Sequence, residues 1–131
     1  MGDPETEAVL PRIKNDLVDL FEATFNQKLD EQKIILDERA ATTVMIVAGG
    51  YPEAYEKGMI ITGSQDVESS IVFHAGTTKK DGKLVTNGGR VLAITSMDVD
   101  YKEALKKSYQ NINKLHFNTM NYRTDIGFDL A

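Results

Sequence analysis

Thr77-Thr78-Lys79-Lys80-Asp81-Gly82-Lys83-Leu84-Val85-Thr86-Asn87-Gly88-Gly89-Arg90-Val91-Leu92-Ala93-Ile94-Thr95-Ser96 is the stretch whose reading decides the fold. Strand formers run up to a glycine, turn, and run back. A glycine in Asp81-Gly82 or Gly82-Lys83 takes positive φ at little cost, so the spacing predicts a hairpin between Thr77 and Val85. Arg90 to Ser96 follows as a further strand. Upstream, Lys33 to Leu36, Thr43 to Ala48, Met59 to Thr62 and Ser70 to Ala75 have the same β-branched and aromatic make-up. The connections between these runs are too short for parallel crossovers, so the sheet is read as mainly antiparallel.

Helices flank this β region. Pro11 suits a first helical turn, and Leu10, Ile13, Leu17, Leu20, Phe21 and Phe25 recur at three- and four-residue steps, predicting one amphipathic helix over Leu10 to Asn26. Arg12 and Asp16 would then stand at i,i+4 on its wet face. A last helix is predicted from Tyr101 to about Leu115, capped by Asp98 or Asp100, with Ala104, Leu105, Ser108, Tyr109, Ile112 and Leu115 as its buried stripe. Helix, several strands, helix and tail make an α+β class.

Composition bounds the function. The 131 residues, 41% hydrophobic with no Cys, suffice for one core and offer no disulfide framework. Nothing at the N-terminus is built as a signal peptide, and no apolar run approaches a membrane span, so a cytoplasmic setting is expected. A net charge of −5 argues against a nucleic-acid partner, which needs a basic face. An anionic ligand would have to be held by local groups.

Gly88-Gly89-Arg90 is the best candidate for that. The glycines expose backbone N–H groups, the guanidinium offers a planar fork for two phosphate oxygens, and Lys80 sits on the preceding hairpin with Lys79 and Lys83. From the residues alone, a wet hairpin tip followed by an ordinary turn is the plainer reading. Ala48-Gly49-Gly50-Tyr51-Pro52, with Tyr55, Lys57 and Gly58, is either a strand-to-loop corner packed by its tyrosines or a loop facing a ligand or a neighbouring domain. Arg123 and Asp125 in Tyr122-Arg123-Thr124-Asp125-Ile126-Gly127 read as a tail-pinning contact or a second polar site. His74 and His116 are read as structural.

Four strings together resemble one family. Gly2-Asp3-Pro4-Glu5 is similar to the end of the signature of phosphoribosylamine–glycine ligases, where Arg-Phe precedes it and any residue plus Gln or Met follows; Glu7 departs from that pattern. Gly49-Gly50-Tyr51-Pro52 with Tyr55 and Lys57-Gly58, the run from Phe73 through Arg90 to Leu92, and Tyr122 to Gly127 resemble the family's C-terminal elements in the same order.

The resemblance implies that 1–30 is the tail end of an ATP-grasp domain and 31–131 the ligase's C-terminal domain, so a fragment of a longer enzyme is expected. It implies a reaction of 5-phosphoribosylamine and glycine with ATP, giving glycinamide ribonucleotide, ADP and phosphate. ATP and Mg would be held by N-terminal domains outside this sequence. Arg90, Lys80, Gly88 and Gly89 would bind the substrate phosphate, Asp3 and Glu5 would supply carboxylates to the site, and Arg123 and Asp125 would lie at its edge. No metal ligands are assigned here. Tyr51, Tyr55 and parts of the first helix would form an apolar docking face. The competing reading is a stand-alone α+β module that binds a small phosphorylated ligand or a protein partner.

Overall fold

A computed structural model describes residues 2–130. Four antiparallel strands carry the core, in the spatial order β2, β5, β1, β6: β1 is Ala40–Ala48, β2 Ser70–His74, β5 Arg90–Asp98 and β6 Met120–Tyr122. A separate hairpin pairs β3, Thr77–Lys80, with β4, Lys83–Thr86. Its turn is the expected one, with Asp81 and Gly82 both at positive φ (51° and 74°). The α+β reading holds.

Strand alternation sorts side chains to the two faces of the sheet. Val44, Ile46 and Ala48 of β1 are buried, and with Leu92, Ile94, Ile112, Leu115 and Phe117 they form the core under α3, Tyr101–Ile112. Asp100 caps α3 by accepting from the Glu103 N–H at 2.9 Å. The same interface carries a line of polar groups, of which the helical periodicity placed only Ser108 on the buried stripe. Ser108 donates to Ser96 at 2.8 Å, Ser96 and Ser70 share a 2.7 Å bond, and Asn111 donates to Ser70 at 2.8 Å. Ser96, Ser108 and Asn111 are buried, so each bond replaces water that the helix has displaced.

The helix expected over Leu10–Asn26 is broken, and only Leu17–Phe25 of that span is α-helical. α1, Glu5–Val9, runs into a 3-10 turn at Leu10–Arg12, and α2 covers Leu17–Phe25. Between them Ile13 is extended and bridges Leu36, while the Lys14 N–H donates to the Ile35 carbonyl and the Asp37 N–H to the Arg12 carbonyl. Pairing with the returning chain thus satisfies backbone groups that a continuous helix would have used. Asp16 caps α2 through the Val18 N–H at 2.8 Å, and Arg12 donates to the Asp37 carbonyl instead of meeting Asp16.

That bridge is all that forms of the strand expected at Lys33–Leu36. Met59–Thr62 likewise makes only isolated bridges, Ile60 to Val85 and Thr62 to His116. α2 buries Leu20 and Ala23 and leaves Phe21 and Phe25, members of its apolar spacing, exposed at 68% and 89%. With Val18 they give α2 an apolar outer face.

Candidate functional site

A bulge aims the arginine. On β1, Ile46 faces Leu92 and Val47 faces Arg90, so Val91 has no partner of its own. An extra residue at a strand end bends the chain and re-aims the side chain beside it. The Val91 carbonyl instead accepts from the N–H groups of Ala75 and Gly76, both at 3.1 Å, which draws the 75–76 corner against the start of β5. Arg90 is left half exposed at the mouth of a cavity of about 320 Å³ lined by Asp3, Tyr51, Tyr55, Ala75, Gly76, Gly89 and itself.

Three strings distant in sequence meet there. Asp3 reaches Arg90 with a carboxylate oxygen 3.3 Å from the guanidinium, supported by a 3.5 Å bond from the same guanidinium to the Asp3 carbonyl. Tyr51 and Tyr55 stand edge to face with ring centroids 6.2 Å apart. Both rings rest on the backbone of Gly89, and a Cβ at that position would collide with Tyr51 and come within 3.0 Å of Tyr55. The Gly89 carbonyl accepts from the Ala48 N–H at 2.8 Å, which fixes the Gly-Gly turn against the end of β1.

The glycines therefore act differently from expectation. The space their side chains would fill is taken by protein, Gly89's by the two tyrosines and Gly88's by Gly76, so it is not room for a ligand. Their N–H groups fit the expectation better: among the described residues neither donates to a protein acceptor.

The other expected site residues lie apart. Lys80 is at the far end of the hairpin, opposite Lys83. Four residues of extended chain, roughly 13 Å, separate it from Gly76. Glu5 lies in the first turn of α1 close to Gly2 and does not line the cavity. Arg123 and Asp125 close on each other through two 2.8 Å bonds, which holds the Asp125 carboxyl below its usual range and raises the Arg123 guanidinium. Asp125 borders a different cavity, of about 660 Å³, between α3 and the tail. Tyr109 ties that tail down by donating to the Arg123 carbonyl at 2.9 Å. His74 bonds the Thr77 hydroxyl at 3.0 Å on the surface, in keeping with a structural part.

The sequence left Tyr51 and Tyr55 between a packed corner, a ligand-facing loop and a docking face, and the structure makes them walls of the Arg90 cavity. The glycine at 89 was the available signal, since an aromatic ring seated on backbone requires one.

Comparison with known proteins bears on this geometry. The family described as Phosphoribosylglycinamide synthetase, C domain, matches residues 41–129. The chain is 44% identical over 125 residues to the phosphoribosylamine–glycine ligase of Caldanaerobacter subterraneus subsp. tengcongensis, covering 95% of this chain and 30% of that protein. It is 43% identical over 129 residues to the ligase of the same name from Vibrio parahaemolyticus, covering 97% and 30%. The crystal structure of phosphoribosylamine–glycine ligase from Thermotoga maritima superposes with a TM-score of 0.75 at 37% identity, over 95% of this chain and 31% of that one. The chain thus spans under a third of the length of these relatives.

Proposed function

Since this chain belongs to the phosphoribosylglycinamide synthetase C-domain family, we propose that it serves as the C-terminal part of a cytoplasmic ligase of de novo purine biosynthesis. That ligase joins 5-phosphoribosylamine and glycine at the expense of ATP. In this reading 1–30 closes the ATP-grasp domain and 31–131 is the C-terminal domain. The glycine carboxylate takes the terminal phosphoryl group of ATP to give glycyl phosphate and ADP. The amine of phosphoribosylamine then attacks the glycyl carbonyl, the C–O bond to phosphate breaks, and glycinamide ribonucleotide and phosphate leave.

The observation that supports this reading is the convergence on Arg90 of Asp3, the Tyr51–Tyr55 pair, the 75–76 corner and Gly89. A dianionic phosphate in a half-exposed cavity is best met by charge-assisted donors, and Arg90 supplies them beside the Gly88-Gly89 turn, of which Gly89 lines the cavity. Lys80 adds a more distant positive charge. Asp3 occupies the guanidinium in the free chain and becomes available as a carboxylate when phosphate takes its place, with Glu5 behind it in the first turn of α1.

Among the described residues no cluster of three His, Cys, Asp or Glu side chains could hold a metal ion. In this reading ATP and magnesium are held by the remainder of the ligase. When bound there, the magnesium would neutralise the triphosphate. The apolar face of Val18, Phe21 and Phe25 suits contact with that remainder.

The test is glycine-dependent ADP release by the purified chain and by the chain joined to the N-terminal part of a homologous ligase. Activity is expected only in the second. Turnover by the chain alone, above a heat-killed control, would overturn the division of labour. No activity in either, despite a folded fusion, would favour a separate binding module.

A further inference from the structure

Among the described residues the hydroxyls of Tyr51 and Tyr55 have no hydrogen-bond partner. Two of the other three tyrosine hydroxyls are used by the fold, Tyr101 donating to the Leu130 carbonyl at 2.6 Å and Tyr109 to that of Arg123 at 2.9 Å, while Tyr122 packs against the core away from the Arg90 cavity. Among the described residues neither Tyr51 nor Tyr55 has such a partner, although both rings line the Arg90 cavity. Their placement is fixed by backbone. Gly50 turns at a φ of 95°, and the loop is then closed by the Tyr51 N–H donating to the Ala48 carbonyl (3.1 Å) and the Glu53 N–H to the Gly50 carbonyl (2.9 Å). The absent side chain at Gly89 then lets both rings lie against the residue that precedes Arg90.

An aromatic wall with free hydroxyls, next to a cation and a carboxylate, is suited to one chemical class. The C–H faces of a sugar ring pack on aromatic surface, its hydroxyls take hydrogen bonds from phenols and carboxylate, and a phosphate at its end takes the guanidinium. We propose that Tyr51 and Tyr55 are the specificity-determining residues for the pentose ring, so that the cavity selects a phosphorylated pentose over phosphate itself. This rests on Arg90 being the phosphate anchor, as proposed above. Arg90 would supply affinity for any phosphate, and the tyrosines would supply the preference for the sugar.

The experiment is calorimetric or NMR titration of the 131-residue chain with ribose 5-phosphate and, separately, with inorganic phosphate. The wild-type chain should bind ribose 5-phosphate more tightly. Tyr51→Ala and Tyr55→Ala should each weaken ribose 5-phosphate by about tenfold and leave inorganic phosphate within about twofold. Arg90→Ala should weaken both. Ribose 5-phosphate binding unchanged in folded tyrosine variants but lost in Arg90→Ala would overturn the sugar wall and leave the anchor standing. Binding of both probes unchanged in Arg90→Ala, or no saturable binding of ribose 5-phosphate to the wild type, would overturn the anchor and the wall with it. If the alanine variants fail to fold, the Tyr51→Phe, Tyr55→Phe double variant keeps the rings on Gly89 and removes the hydroxyls. Wild-type preference for ribose 5-phosphate in that variant would equally overturn the proposal.

Discussion

Arg90 and Arg123 each sit beside an aspartate, and the resemblance between them ends there. Arg123 meets Asp125, two residues along the chain, with both prongs of its guanidinium at 2.8 Å. Arg90 meets Asp3, 87 residues away, through a 3.3 Å contact and a 3.5 Å bond to a carbonyl. A fork closed by a local carboxylate is satisfied and has little to offer a ligand. A loosely held guanidinium beside free N–H groups and a cavity can exchange its partner for a phosphate. The lesson is that arginine–aspartate proximity is ambiguous until geometry and surroundings are known.

The sharpest way to break the comparison is to remove each arginine from the intact ligase. Arg90→Ala should weaken phosphoribosylamine by roughly 1.5–3 kcal/mol, about tenfold or more, with ATP and glycine little affected. Arg123→Ala should leave all three within about twofold, because its guanidinium is spent on Asp125. Steady-state kinetics with each substrate varied in turn decides it. Equal effects from the two variants would erase the distinction, and a defect of Arg90→Ala confined to ATP would put the wrong ligand in the cavity.

The two regions were also unequally legible in the sequence. Features set by local chemistry were readable: the Asp81-Gly82 turn, the Asp100 cap, the strand formers of Thr43 to Ala48 within β1, and the Arg123–Asp125 contact itself. Features set by distant partners were not. The apolar spacing of Leu10 to Phe25 is continuous, yet the helix breaks at Ile13 because Leu36 and its neighbours supply backbone partners from the far side of a loop. Arg90 was legible only as a cation after two glycines. Its aspartate and its tyrosine wall come from two other segments, the bulge beside it at Val91 is set by pairing with β1, and no single-chain spacing encodes their meeting. Asn111 was unreadable for a related reason, since its buried role is defined by Glu68 and Ser70 across the interface.

Gly89→Ala tests the wall from the backbone side. The added Cβ would collide with the Tyr51 ring, so the chain must shift or the ring must swing into the cavity. A stability loss of about 1–3 kcal/mol, the usual cost of overpacking, is expected by denaturant unfolding, together with weaker ribose 5-phosphate binding. Gly127→Ala, in the tail region, has only Tyr101 and Leu105 side-chain atoms at 3.5 Å and beyond as neighbours, and its cost should come from its φ of 79° instead. An unperturbed Gly89→Ala chain would mean that the rings do not rest where they are described.

Asp3→Asn measures how loosely Arg90 is held. Removing the competing charge should tighten inorganic phosphate by up to about fivefold, in line with a half-exposed pair worth less than about 1 kcal/mol. Asp125→Asn should not change phosphate binding at all. Weaker phosphate binding by Asp3→Asn would show that the carboxylate orients Arg90 for the ligand and does not compete with it.

The smallest expected effect separates closed pairs from open ones by pH. Asp37 is the tightest of the closed kind: its carboxylate takes Arg39 through two side-chain bonds of 3.0 and 2.8 Å and the Arg39 N–H at 3.0 Å, and these hold its carboxyl well below the usual range. Asp98, bonded to Lys107, and Asp125, bonded to Arg123, are lowered in the same direction. A carboxyl depressed in the folded state stabilises the fold fully above its unfolded value, about pH 4, and loses that contribution as pH falls through the folded value. Wild-type stability should therefore decline on acidification below about pH 4, and Asp37→Asn should flatten that decline while lowering stability at neutral pH. Thermal unfolding of both proteins between about pH 7 and pH 2 gives the two curves. Parallel curves would mean that the Asp37–Arg39 pair is no tighter in the folded chain than in the unfolded one, and the contrast between closed and open pairs would lose its thermodynamic content.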